Sequence, residues 1–221
     1  MKPALLELNL NQLVPHDDWY REDPLPIALE EAIQATGGFA TPIIVVHDPT
    51  MRYQVVDGNR RIHWARAQGV KTVHALVYDA EELSLLPQEL ALLVNQHTLS
   101  AYEKIYLFLA ALDARLGLGD WIKAGRLFAE AYRHVVKGQQ TRRGSAIEEV
   151  WQTASRLCAL AGSTPNSLQT YFYRYVTPLP RETHARILRG ELLPKQALQA
   201  GGKNTQGDSL DPLRSLVRGE Q

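Results

Sequence analysis

Two adjacent arginines, Arg60 and Arg61, stand behind Gly58 and Asn59, where the run Tyr53-Gln54-Val55-Val56 gives way to a helical pattern that Gly69 closes. β-Branched and aromatic residues in a short run predict a buried strand, and the apolar spacing after them predicts a helix. Both guanidinium groups therefore fall in the first turn of a helix. The helix dipole favours anionic groups there by about 0.3 to 1 kcal/mol and disfavours cations. A bound phosphate resolves that conflict. Unsatisfied backbone N–H groups, a glycine that permits close approach and two guanidinium forks are the parts of an anion site. The competing reading is that Arg60 and Arg61 are solvated or paired with neighbouring carboxylates, and Gly-x-Arg-Arg alone does not decide between the two. Asp57 also has two readings: a base or metal ligand of a phosphoryl-transfer site, or a turn residue that caps the helix.

A second set of residues lies between Gln152 and Arg174. A helical stretch runs into Gly162-Ser163-Thr164-Pro165 and then into a second helical pattern beginning at Asn166. Gly162 suits a turn, Ser163 or Thr164 can cap, and Pro165 fits the first positions of a helix. This is the spacing of a helix-turn-helix, whose second helix presents Asn166, Ser167, Gln169 and Thr170 to base edges, with Arg156 and Arg174 suited to phosphate. An ordinary αα-hairpin has the same outline. The polar, basic loop from Lys137 to Gly144 adds Lys137, Arg142 and Arg143 as phosphate contacts. Asp17, Asp18, Glu22 and Asp23 lack the diagnostic spacing of a two-metal nuclease and read as a solvated loop. His63, His74, His97 and His134 have no metal-ligand spacing between them.

The elements that must position these residues fall into two textures. Residues 5–15 predict a short strand and loop, and Ile27 to Ile33 a helix that stops at Gly37-Gly38. Pro42 to Val46 predicts a strand that turns at Asp48-Pro49 and pairs with Tyr53 to Val56. Val73 to Tyr78 predicts a third strand, with Asp79 placed to cap a helical Ala80 to Leu83. From Leu99 the pattern is helical. Ser100 to Glu103 forms a capping box before an apolar helix that reaches Leu116. Gly117-Leu118-Gly119 breaks it, Asp120 caps a helix to about Val136, and another begins near Ser145. Pro178-Leu179-Pro180 ends the paired helices, Arg181 to Leu193 forms a further helix interrupted at Gly190, and the chain beyond about Ala200 is linker-like. The fold class is thus α+β: a small mixed α/β domain over residues 1–98, an all-α domain over 99–200 and a tail over 201–221.

Composition narrows the setting. Cys158 is the single cysteine of the 221 residues, so no intrachain disulfide or Cys-rich metal site can form, and a reducing, cytoplasmic location is expected. Met1-Lys2-Pro3-Ala4 does not open a secretion signal, and the longest uncharged interval, between Arg156 and Arg174, is too polar to span a bilayer. Net charge is zero, yet residues 1–97 hold 7 Lys and Arg against 13 Asp and Glu, while residues 98–221 hold 17 against 11. The basic half is the candidate for a polyanion partner.

Taken in order, these segments resemble the ParB family of bacterial chromosome and plasmid DNA-segregation proteins. Gly58, Arg60, Arg61, Ala65 and Gly69 resemble its Gly-Glu-Arg-Arg box, and Pro15 to Arg21 resembles its Asn-Pro-x-Gln-Pro-Arg box. Gly38 to Val46 resembles its Gly-x-x-x-Pro-Ile-x-Val segment. Asn95, with Leu99 and Glu103, resembles its Glu-Asn-x-Gln-Arg box, and Leu179-Pro180 through Glu191-Leu192 and Ala197 resembles the helix behind its helix-turn-helix. The resemblance implies a ParB/sulfiredoxin-like nucleotide-binding domain at residues 1–98, followed by a helix-turn-helix DNA-binding domain. It further implies double-stranded DNA and a nucleotide, CTP or ATP, as partners, Mg beside the triphosphate, a homodimer, and a nucleoid- or plasmid-associated location. Gly58, Asn59, Arg60, Arg61, Arg21, Asn95 and His97 then form the nucleotide or phosphate site. Departures are also present: Asn59 and Val94 replace family glutamates, Thr98 replaces an arginine, and the C-terminal dimerisation domain has no counterpart. Sulfiredoxin chemistry needs a cysteine in the central box, where Asn59 stands. The expected function is that of a ParB-like binding protein in partition or in regulation of a mobile element, with at most weak nucleotide triphosphatase activity. Phosphotransferase and nuclease activities of the same fold are the alternatives.

Overall fold

The computed structural model describes residues 3–14, 27–36, 39, 41–47, 53–80, 85–97, 99–140 and 144–204. Strands β1 (Ala4–Asn9), β2 (Leu13–Val14), β3 (Ile43–His47), β4 (Tyr53–Asp57) and β5 (Thr72–Asp79) form one sheet in the order β1-β5-β3-β4-β2. The sheet is mixed. β1 runs antiparallel to β5 with Leu6 opposite Ala75, β5 runs parallel to β3, β3 antiparallel to β4, and β4 parallel to β2. Helix α1 (Ile27–Thr36) precedes β3, and α2 (Asn59–Ala67) carries the chain from β4 past β3 to β5.

Each face of the sheet is covered by different helices, and the two-residue alternation of the strands sorts their side chains accordingly. Ile43, Val45, Val55, Val73 and Ala75 pack with Ile62 and Ala65 of α2. Val46 and Val56 point the other way, into a cluster with Leu90 and Leu92 of α3 (Pro87–Val94) and Ile105 and Leu109 of α4 (Ala101–Leu116). That cluster does not stop at the sheet. It continues through Phe128 of α5 (Trp121–Lys137), Leu157 of α6 (Gly144–Leu160) and Leu168 of α7 (Pro165–Tyr171) to Phe172 and Val176, in the π-helical turn Phe172–Val176 that extends α7.

Local signals account for most helix ends. The Ser100 hydroxyl accepts from the Glu103 amide at 3.3 Å, and the Glu103 carboxylate accepts from the Ser100 amide at 2.9 Å, which is the expected capping box. The Asp120 carboxylate accepts from the amides of Ile122 and Lys123 and also pairs with Arg181. Although burial opposes ionisation, these amides and the guanidinium hold the Asp120 carboxyl below its ordinary range. Asp79 is the last residue of β5, and Ala80 behind it donates its amide to the His47 carbonyl; the rest of the helical stretch expected from Ala80, residues 81–83, lies outside the described residues. Two expectations need correction. The helix expected over Arg181 to Leu193 is α8 (Arg181–Leu188), which ends before Gly190, and a separate α9 (Pro194–Asn204) runs on where a linker is expected. Helix α3, absent from the sequence reading, is held by an internal ion pair. Buried Glu89 accepts from Arg115 Nε at 2.7 Å and Nη2 at 2.6 Å and from the Leu86 amide.

Candidate functional site

The handover from β4 to α2 is built on Gly58. Its φ of 108° lies in the region that favours glycine, and a Cβ on it would sit 2.5 Å from Ile43 Cγ2. The Ile62 amide donates to the Gly58 carbonyl at 3.0 Å and begins the helical ladder. The amides of Asn59, Arg60 and Arg61 precede that bond and have no acceptor within the helix. No acidic side chain occupies the first turn, and Gly58 supplies no side-chain cap. Partial positive charge is therefore left at this end of α2. Asn59 Oδ1 is buried there without a hydrogen-bond donor.

The two arginines behave differently. Arg61 Nη1 donates to the Thr41 carbonyl at 2.6 Å, the Thr41 hydroxyl at 2.9 Å and the Pro42 carbonyl at 3.1 Å, while Nη2 reaches Asp57 Oδ2 at 2.8 Å. For Arg61 the pairing alternative is what the structure shows: the guanidinium ties the entry to β3 onto the start of α2. The same contact engages Asp57, which ends β4 and does not cap α2, the N-cap being Gly58. Arg60 is exposed and is the guanidinium of this turn that faces solvent. Asn95 closes α3, its carbonyl accepting from the Leu99 amide at 3.0 Å, and His97 is exposed on the connection that follows. Arg21, like Asp17, Asp18, Glu22 and Asp23, lies outside the described residues. Trp64 is half-buried, packs against the cluster under α2 and donates Nε1 to Glu30 at 3.0 Å. Among the described residues no group of three or more His, Cys, Asp or Glu side chains could hold a metal ion. Burial pushes the Cys158 thiol up to about 12, which keeps it protonated and inert.

The second candidate site is the α6–α7 pair. Gly162 (φ 55°) makes the turn, Thr164 Oγ1 caps α7 by accepting from the Ser167 amide at 3.2 Å, and Pro165 takes the first turn. Leu168, Phe172 and Val176 point into the shared core, leaving Asn166, Thr170 and Arg174 exposed and Ser167 and Gln169 half-buried. Internal bonds occupy part of this polar face. Asn166 Oδ1 accepts from the Tyr132 hydroxyl at 3.0 Å, Thr170 Oγ1 donates to the Asn166 carbonyl at 2.9 Å, and the hydroxyls of Ser167 and Thr164 share a bond of 2.9 Å. Arg174 lies 5.3 Å from the Tyr175 ring centre, and Lys137, at the end of α5, lies 5.8 Å from that of Tyr132. Arg156 is exposed on α6, whereas Arg142 and Arg143 are outside the described residues.

Several residues that shape this pair are missing from the sequence reading. Gly125 of α5 meets Phe172 so closely that a Cβ there would lie 2.3 Å from the ring. A glycine inside a helix costs about 1 kcal/mol relative to alanine, so its presence in a strongly amphipathic stretch was the available signal of close packing. Gln96, beside Asn95, reaches the turn itself: a Cβ on Gly162 would lie 2.6 Å from Gln96 Oε1. The connection carrying Asn95 and His97 thus abuts the turn between α6 and α7. Tyr173, 46% exposed, also stands on the outer surface of the α7 extension.

No helix among the described residues is long and apolar enough to cross a membrane. Compared with known proteins, residues 5–94 match the ParB N-terminal domain family. The probable chromosome-partitioning protein ParB of Vibrio cholerae serotype O1 is 33% identical over 103 residues, which are 45% of this chain and 35% of that protein. The chain therefore spans about a third of the length of this curated relative. Among solved structures, a Pnob8-like ParB-N domain superposes with a TM-score of 0.51 at 16% identity, covering 96% of this chain and 88% of that one, a likeness of fold. The C-terminally truncated ParB of Caulobacter crescentus, complexed to the centromeric parS site, gives a TM-score of 0.38 at 18% identity over 96% and 98% of the two chains.

Proposed function

We propose that this chain, whose residues 5–94 form a ParB N-terminal domain, binds double-stranded DNA through α6 and α7 and takes the phosphates of a nucleoside triphosphate at the head of α2. The process is DNA partition, the role named for the Vibrio cholerae relative. The observation that carries the DNA reading is the outer face of α7. A capped helix, fixed from behind by Leu168 and Phe172, turns Asn166, Gln169, Thr170 and Arg174 outward from one side. Side chains of this type read base edges, and Arg174 with Arg156 and Lys137 contacts the backbone. In a homodimer two such helices would meet half-sites about 34–36 Å apart.

At the head of α2, three unpaired amides and Arg60 face the ligand, while Arg61 sets the geometry of the turn. The anion is CTP or ATP, and Mg enters with its phosphates rather than through a preformed protein cage. Isothermal titration with CTP and with ATP tests this, using Arg60→Ala as the control. The expected result is binding that Arg60→Ala weakens at least tenfold; equal affinity in parent and variant rejects the phosphate assignment. The DNA reading is tested by anisotropy with a labelled duplex. The affinity of the parent should fall by about 0.9 log units per phosphate contact per decade of salt, and affinity independent of salt rejects it.

A further inference from the structure

Helix α5 carries a row of cations of which the proposed DNA site uses only Lys137. Lys123, Arg126, Arg133 and Lys137 are all exposed on it. At about 100° per residue these four project within a sector of roughly 80°. The opposite side is fully employed: Ala124, Phe128 and Ala131 are buried, Gly125 abuts Phe172, and Tyr132 bonds Asn166. The last two contacts place α7 on the flank of α5 next to the cationic sector, so the stripe and the outer face of α7 border one another.

Intramolecular chemistry explains only one end of the stripe. Lys137, in the last turn, complements the helix dipole and lies near the Tyr132 ring. Lys123 sits in the first turn, where the dipole opposes it, and the nearest cap, Asp120, is already engaged by two amides and Arg181. Arg126 and Arg133 extend the row between them. Glu130 is the one carboxylate within the sector, leaving four cations against one anion on a chain whose net charge is zero. From Lys123 to Lys137 the row is about 21 Å long, the length over which one strand of B-form duplex presents about six phosphates.

We infer that the α5 stripe is a sequence-independent binding surface for the sugar–phosphate backbone of duplex DNA, flanking the reading helix α7. It rests on the proposed DNA function and adds Lys123, Arg126 and Arg133 to it. The stripe neutralises phosphates, while α7 supplies whatever base preference the protein has.

The test uses the full chain, a random-sequence 40-base-pair duplex and the triple variant Lys123→Gln/Arg126→Gln/Arg133→Gln, with the charge-keeping triple Lys123→Arg/Arg126→Lys/Arg133→Lys as control. Between 50 and 200 mM salt, three lost contacts should make the affinity of the Gln variant fall about 40-fold less than that of the parent. The charge-keeping variant should follow the parent, and melting temperatures should agree among all three. A Gln variant whose salt slope equals the parent's overturns the stripe. In that case Arg174→Gln, measured in parallel, shows whether the α7 reading survives: weaker binding retains it, and unchanged binding removes it too. A parent that binds no duplex at 50 mM salt overturns both.

Discussion

Tyr102 and His184 stand 82 residues apart in the chain and are joined by a buried hydrogen bond of 2.6 Å, the Tyr102 hydroxyl donating to His184 Nδ1. The direction follows from the far side of the ring, where Nε2 lies 3.2 Å from the Val176 carbonyl, a group that can only accept. Burial favours the neutral imidazole, whose proton then sits on Nε2. It fastens α8 to α4 and to the end of the α7 extension.

A pH dependence of stability follows. Burial pulls His184 below its ordinary value of 6.5, more than the carbonyls of Val176 and Leu179 push it up. The unfolded chain takes its proton near 6.5 and the folded chain at lower pH, so the contribution of His184 is complete above 6.5 and is lost as pH falls through the folded value. Urea titrations at pH 7.5 and 5.5 should show the parent losing stability on acidification by more than a His184→Asn variant does. Tyr102→Phe should cost about 1 to 3 kcal/mol at pH 7.5, because Nδ1 loses its buried donor.

Gly125 and Phe172 give a packing test. Alanine at 125 gains about 1 kcal/mol of helix propensity but drives its Cβ into a buried ring, and overpacking costs about 1 to 3 kcal/mol. Gly125→Ala should lower the denaturation midpoint. Phe172→Leu in the same chain should recover part of that loss, so the double variant should be more stable than the sum of the single effects allows.

The paired arginines should separate stability from binding. Removing Arg61 strands the Thr41 and Pro42 carbonyls and the Asp57 carboxylate, and Arg61→Ala should destabilise by about 1 to 3 kcal/mol in chemical denaturation. Arg60→Ala should leave stability within about 0.5 kcal/mol of the parent. Comparable losses in the two variants would show that both arginines are structural.

The sequence was most legible where the causes are local. The strands around the central glycine, the Ser100 box, the Asp120 cap, the Gly162 turn and the Thr164 cap each depend on neighbours within a few residues. The role of Arg61 was legible in part: pairing with a neighbouring carboxylate was one of its two readings, and Asp57 lies four residues before it, whereas the Thr41 and Pro42 acceptors lie 20 and 19 positions upstream and no spacing rule joins them. Helix α3 was missed for a related reason: buried Glu89 is stabilised by Arg115, 26 residues away. The polar side chains of α7 were found, yet their engagement with Tyr132 and with one another depends on how α5 lies against α7. The α5 stripe was hidden because a list of charges carries no faces until the helix is placed.

One apolar interior runs from Val46 and Val56 in the sheet to Phe172 and Val176 behind the turn. A chain with such a continuous centre melts as a single cooperative unit, so calorimetry should record one endotherm. Cutting between the sheet and the helices would then yield two fragments with wet, exposed faces instead of two autonomous modules. Strain introduced at either end would be felt at the other through the tightly packed side chains between them.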